Sequence, residues 1–158
     1  GTIQMAEAAA YHGKLIREQG AKLHPYVRIR LEAGLFVSAT DYIQAQQART
    51  LFYRQTLEFL KNFDLLVGPT LPVTAFKIGT TRLMIGGKNI SVVPLLTQYT
   101  RPFNLNGFPA ITVPCGFSDD GLPIGLQIAG RPFEEETVFR AAYAYEQAMD
   151  WHRRRPLL

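Results

Sequence analysis

Residues 100–131, TRPFNLNGFPAITVPCGFSDDGLPIGLQIAGR, constrain the fold of this chain more than any other stretch. Two apolar runs, Ala110–Phe117 and Leu122–Ala129, flank Ser118-Asp119-Asp120-Gly121. Asp-Gly between apolar runs predicts a tight hairpin, because glycine accepts the positive φ that the turn demands. Neither run alternates apolar with polar residues, and neither does Leu65-Leu66-Val67. Such runs belong to strands covered on both faces. Strand candidates are nevertheless few for 158 residues. The expectation is an α/β chain whose central sheet is incomplete within it.

The rest of the chain reads mainly as helix. Residues 1–20 are good helix formers closed by Gly20 at C′. A short helix over 26–32 is entered through Pro25 and stopped by Gly34. Ser38 and Asp41 form a capping box that opens a helix to about Asn62, with Ile43, Leu51, Phe52, Phe59, Leu60 and Phe63 expected to be buried. A strand over 63–67 ends at Gly68-Pro69. A small hairpin is expected around Gly86-Gly87, a short helix between Pro94 and Leu105, and a final helix over 133–149 with Glu134, Glu135 and Glu136 in its first turn. No repeat or linker interrupts the pattern, so residues 1–158 are expected to be a single segment without an internal boundary. The start, almost inside a helix, reads as that of a fragment.

Composition removes several classes. Apolar content of 47% and charged content of 19% are globular values. The 17 Lys+Arg against 13 Asp+Glu leave +4, much of it in His152-Arg153-Arg154-Arg155, which reads as a solvated tail and not as a nucleic-acid face. The lone Cys115 excludes an internal disulfide and suits a small buried side chain. No apolar run is long enough to span a membrane and no leader pattern is seen, so a cytoplasmic location is expected.

The chemistry-bearing residues do not assemble a site. No Ser sits in a Gly-x-Ser-x-Gly elbow, and His12, His24 and His152 have neither triad context nor metal spacing. Gly86-Gly87-Lys88-Asn89 lacks the earlier glycine and following Ser/Thr of a phosphate loop, and Gly121, Gly125 and Gly130 are mis-spaced for a dinucleotide fingerprint. No cofactor and no metal is expected.

The glycines and prolines around the hairpin do form a pattern. Phe103-Asn104-Leu105-x-Gly107-x-Pro109-Ala110-Ile111-x-Val113-Pro114-x-Gly116, then Asp120-Gly121-Leu122-Pro123-Ile124-Gly125-Leu126-Gln127 and Gly130-Arg131-Pro132-Phe133-x-Glu135, resembles the C-terminal part of the amidase signature family. Asp64-Leu65-Leu66-Val67-x-Pro69-Thr70-x-Pro72, Arg28-x-Arg30-Leu31-x-x-Gly34, Asp41-Tyr42-x-x-Ala45 with Arg49, and Trp151-His152-Arg153-x-x-Pro156 extend the likeness over nearly the whole chain.

The resemblance implies helices packed on a mixed β-sheet that is incomplete here, and hydrolysis of amide C–N bonds by a Ser–cis-Ser–Lys triad. In the family that lysine and both serines lie in an N-terminal half whose Gly/Ser-rich stretch has no counterpart in this sequence, so no catalytic residue is assigned. The resemblance also implies one wall of a substrate pocket, with Thr97, Thr100, Phe103 and Asn104 as candidates and Arg30 as a further contact for a polar substrate group. For Asn104 a turn role bonding its own backbone, and for Phe103 core packing, stand beside the pocket role. The glutamine-handling members of this family, the amidotransferase A subunits, usually carry an aspartate seven residues before that asparagine, to hold a glutamine ammonium. Thr97 stands there and cannot supply the charge, which favours a general amidase.

The expected partners are a small amide substrate and the N-terminal half of the amidase, with self-association of the exposed apolar face. The alternatives are a non-catalytic partner that completes the sheet of another chain, a fragment of a tRNA-dependent amidotransferase, and a free-standing α/β domain of unrelated role.

Overall fold

The structure, a computed structural model, describes residues 1–155, so Pro156 of the terminal motif lies outside the described residues. The chain divides into two compact units, residues 1–54 and residues from 55 onward.

The first unit is helical. Helix α1 (Thr2–Gln19) packs against α2 (Pro25–Gly34). Gly20 does not take the expected left-handed cap; at φ −54° and ψ −33° it is right-handed and buried, and it opens a 3-10 turn over Gly20–Lys22. Helix α2 starts where Pro25 predicts, with His24 Nδ1 accepting from the Tyr26 N–H at 3.3 Å. Gly34 is the buried last residue of α2, and its role is contact. A Cβ there would strike the Met5 carbonyl oxygen and come within 2.7 Å of the Ala9 Cβ. Helix α3 (Ala39–Phe59) starts at the Ser38 box in modified form. Ser38 Oγ accepts from the Asp41 N–H at 3.0 Å, as expected, but the Asp41 carboxylate accepts from the Ser38 hydroxyl at 2.7 Å. Tyr42 donates its hydroxyl to Glu7 at 2.9 Å, tying the start of α3 to α1.

The apolar face of α3 departs from expectation. Of the six residues expected inside, only Leu60, in a 3-10 turn after the helix, is buried; Ile43, Leu51, Phe52, Phe59 and Phe63 are exposed. The spacing does not gather these residues on one face, since Ile43 and Phe52 point to opposite sides of a 3.6-residue helix, and the described residues leave them uncovered.

The second unit is built on a three-stranded sheet. Strands β1 (Leu65–Pro69), β4 (Ala110–Phe117) and β5 (Pro123–Gly130) lie in the order β1-β5-β4, with both pairings antiparallel. The predicted Gly86-Gly87 hairpin is present as β2 (Arg82–Ile85) and β3 (Lys88–Ser91). In the opening hairpin Gly121 takes φ +76° and donates to the Ser118 carbonyl at 2.8 Å, as Asp-Gly requires. The register shifts between Pro114 and Gly116, so Cys115 sits on a bulge and is half-buried, less enclosed than expected.

Helix α6 (Glu135–Ala148) crosses one face of this sheet. Val113, Ile128, Val138 and Ala142 form the core there, flanked by Leu65, Ile111, Leu126 and Tyr145. Gly130 lies on the same face, where a Cβ would meet Val138 Cγ2 at 2.7 Å. Between β5 and α6 the chain turns through Phe133, which has φ +66° and is 95% exposed. Arg131 clamps this corner. It donates to the Leu60 and Phe63 carbonyls at 3.1 Å and pairs with Glu134 at 2.8 Å and Asp64 at 3.4 Å. The hydrogen bond to Glu134 is the main reason the Arg131 guanidinium titrates above its usual range, against partial desolvation and with help from Asp64. The basic C-terminal stretch is not wholly solvated. Trp151 packs near Phe117, and the Arg154 guanidinium lies 4.2 Å from the Phe117 ring centre.

Among the described residues no helix is long and apolar enough to cross a membrane.

Candidate functional site

The segment between the two hairpins carries four of the five predicted site residues. It holds two short helices, α4 (Val92–Leu95) and α5 (Arg101–Asn106), where the sequence predicts one. Pro102, in the first turn of α5, suits a helix start because its missing N–H has no helical partner there. Gly107 ends α5 at φ +71°, donating to the Phe103 carbonyl at 2.8 Å.

The local fold places each candidate. Thr97 is exposed in the turn before α5, and its hydroxyl accepts from Arg101 at 2.6 Å. Thr100 occupies the N-cap of α5, half-buried, with its carbonyl taking the Asn104 N–H at 3.2 Å. Phe103 is half-buried and Asn104 exposed. Arg30 belongs to the other compact unit, exposed on α2, with its guanidinium 5.7 Å from the Tyr26 ring centre. The structure thus gathers four candidates on one segment, and describes Arg30 within the first unit.

Phe103 stands between two clefts. One, of about 270 Å³, lies between Leu66–Pro69 and Gln98, Tyr99, Pro102 and Phe103, with Gln127 also in its lining. Among the described residues no charged residue lines it. The other, of about 470 Å³, is lined by Phe103, Asn104, residues 107–111 and the start of α6, including Glu135. A cleft of about 510 Å³ in the first unit, lined in part by Phe36 and Asp41, holds none of the predicted residues. The 270 Å³ cleft is smaller than that one, but it combines an apolar wall with a buried amide, the usual make-up of a ligand site.

Sequence reasoning left Gln127 and Asn106 out of the candidate set. Gln127 is buried on the central strand and donates to the Tyr99 carbonyl at 3.1 Å. Asn106 is buried at the end of α5 and donates to Thr56 Oγ1 at 3.0 Å, while its Oδ1 is buried without a partner among the described residues. The available signal for Gln127 was an amide inside an otherwise apolar run, since a buried polar group must find a partner. On the same sheet face Thr70 and Thr112 share a hydrogen bond of 3.1 Å, and Gly125 leaves them room: a Cβ there would stand 2.8 Å from Thr112 Cγ2. Among the described residues no cluster of His, Cys, Asp and Glu could hold a metal ion.

Comparison with known proteins agrees with this architecture. The family model described as Amidase matches residues 3–139. An amidase of Pseudomonas putida is 42% identical over 157 residues, 99% of this chain and 34% of that protein. The A subunit of a glutamyl-tRNA(Gln) amidotransferase, from Oceanobacillus iheyensis, is 43% identical over 142 residues, 84% of this chain and 27% of that protein. Among solved structures, one of an amidase superposes with a TM-score of 0.87 at 28% identity, over 92% of this chain and 33% of its own. A bacterial aryl acylamidase of the amidase signature family gives 0.73 at 28% identity, over 98% and 34%. The chain spans about a third of the length of these amidases, and with a family match over most of its residues it belongs to the amidase signature family.

Proposed function

We propose that this chain is the C-terminal, pocket-wall portion of an amidase that hydrolyses amide C–N bonds, with the Ser–cis-Ser–Lys triad in the part of the protein outside it. In that scheme the nucleophilic serine forms an acyl-enzyme while the lysine moves the proton through the bridging serine. The residues of this chain bind the substrate and keep water from it. Thr97, Thr100, Phe103 and Asn104 present the wall, and the uncharged cleft beside Phe103 takes the apolar group of the amide.

The observation that carries the substrate reading is the Thr97–Arg101 contact at 2.6 Å. A glutamine-handling enzyme needs an anion at this position for the ammonium. Here the hydroxyl is engaged by a guanidinium, the only charged side chain between residues 96 and 107, and a second cation would be repelled. That supports uncharged amides over glutamine, and a general amidase over an amidotransferase.

The test uses the complete protein and the 158-residue chain in parallel. The complete protein is expected to turn over simple aryl or aliphatic amides, and the isolated chain to show none above background. Turnover by the pure chain, abolished by a point change within it, would defeat the assignment. So would a complete protein that prefers glutamine to neutral amides.

A further inference from the structure

We infer that Gln127 is a positioning residue for the pocket wall: its side-chain amide ties the main chain at Tyr99 to the central strand, and so fixes where Thr97 and Thr100 stand. The inference rests on the reading of that segment as a pocket wall.

Three observations carry it. Gln127 is 7% exposed on β5, the middle strand of the sheet, hydrogen-bonded to a neighbour on each side. Its Nε2 reaches the Tyr99 carbonyl at 3.1 Å across 28 positions of sequence, and Tyr99 lies between the two threonines. The main-chain bonds around Tyr99 are local: Thr97 donates to Pro94 at 3.3 Å, Gln98 to Leu95 at 3.4 Å, and Arg101 to Thr97 at 2.9 Å. These set the shape of the turn but not its distance from the sheet. A turn held only by bonds of this kind can swing as a body, and one buried amide on a fixed strand removes that freedom.

The chemistry makes the bond testable by exchanging one atom. Gln127→Glu keeps size and shape, but an ionised carboxylate cannot donate and repels the Tyr99 carbonyl. Once protonated, the substituted carboxyl donates again, so the defect must shrink as pH falls. Among the described residues Tyr99 is the one titratable side chain that lines this cleft. Gln127→Leu removes the donor at every pH and serves as the reference.

Two readouts decide the matter. In the 158-residue chain, amide hydrogen exchange at residues 97–101 is expected to speed up on the order of tenfold in Gln127→Leu, with β4 unchanged. In the complete enzyme, KM for a neutral amide should rise on the order of tenfold in both variants at about pH 8 with kcat nearly kept, since the wall binds ground and transition states alike. The rise should fall away for Gln127→Glu alone towards about pH 5. Unchanged exchange at 97–101, or a turn already unprotected in the unsubstituted chain, overturns the inference. So does faster exchange with no change in KM, or a KM defect in Gln127→Glu that ignores pH. An unsubstituted complete enzyme with no turnover of any amide sinks the amidase reading and the substrate half of this inference, while exchange still judges the tether.

Discussion

Gly34 turns its bare Cα onto the main-chain carbonyl of Met5, so that α2 approaches the backbone of α1 more closely than a Cβ would allow. Gly34→Ala forces a methyl into backbone that cannot yield, and is expected to cost about 1–3 kcal/mol, as overpacking does. Gly13 is the control. It is also a buried helix glycine, but its nearest neighbour is the flexible Arg17 guanidinium at 3.4 Å, so Gly13→Ala should be neutral or gain up to about 1 kcal/mol from helix propensity. Thermal melts of the two variants with opposite signs are the expected result. Equal losses would show that close approach at Gly34 is not what matters.

Phe133 holds φ +66° with its ring 95% exposed, so within this chain it bears backbone strain without burial in return. Phe133→Gly is expected to raise stability by up to about 1 kcal/mol, and Phe133→Ala to leave it nearly unchanged because a Cβ retains the strain. Denaturant titration of the isolated chain distinguishes the two. A loss of stability in Phe133→Gly would mean the ring packs in solution.

The uncovered apolar residues of α3 make their own prediction. Leu51 is 57% and Phe59 53% exposed. Burial of either would place about 1.5–3 kcal/mol at stake. Leu51→Glu and Phe59→Lys should therefore change the melting of the isolated chain by less than about 0.5 kcal/mol. They should also lower its self-association in sedimentation velocity, because large exposed apolar side chains seek cover. A stable monomer of the unsubstituted chain at high concentration would remove the premise.

At the β5–α6 corner, Arg131 serves two carbonyls and two carboxylates with one planar fork. Lysine carries the charge but not the fork, so Arg131→Lys is expected to lower the melting midpoint nearly as far as Arg131→Met. The pH dependence follows from the direction of its shift. A cation whose folded pKa is raised contributes in full below its unfolded pKa, and that contribution is lost only as pH climbs through the folded value. For a guanidinium both lie in strong alkali, so the deficit should be flat from about pH 6 to pH 9. A deficit that varies across that window would point to a different partner.

Local signals were legible where the physics is local. Asp120-Gly121 placed the main hairpin and Gly86-Gly87 the small one, because positive φ is written in glycine. Pro25 sits where the first turn of α2 needs it, whereas Pro102, unread in the sequence, starts a second helix where one was expected. Gly20 misled because a glycine after a helix marks a left-handed cap only if the chain reverses there, and here it winds on into a 3-10 turn. The interior of α3 was misplaced for a different reason. Periodicity shows which residues share a face, but whether anything covers that face depends on other segments.

By itself, then, the sequence determined most of the helices, the hairpins and the family, since each depends on residues near one another in the chain or on a pattern of glycine and proline. Only the tertiary structure decided that β5 lies between β1 and β4, that Gly34 touches Met5, and that Gln127 reaches Tyr99. Those are contacts across tens of residues, set by the packing of whole elements. The cleft beside Phe103 took shape only there, because its lining comes from β1, from β5 and from the segment before α5.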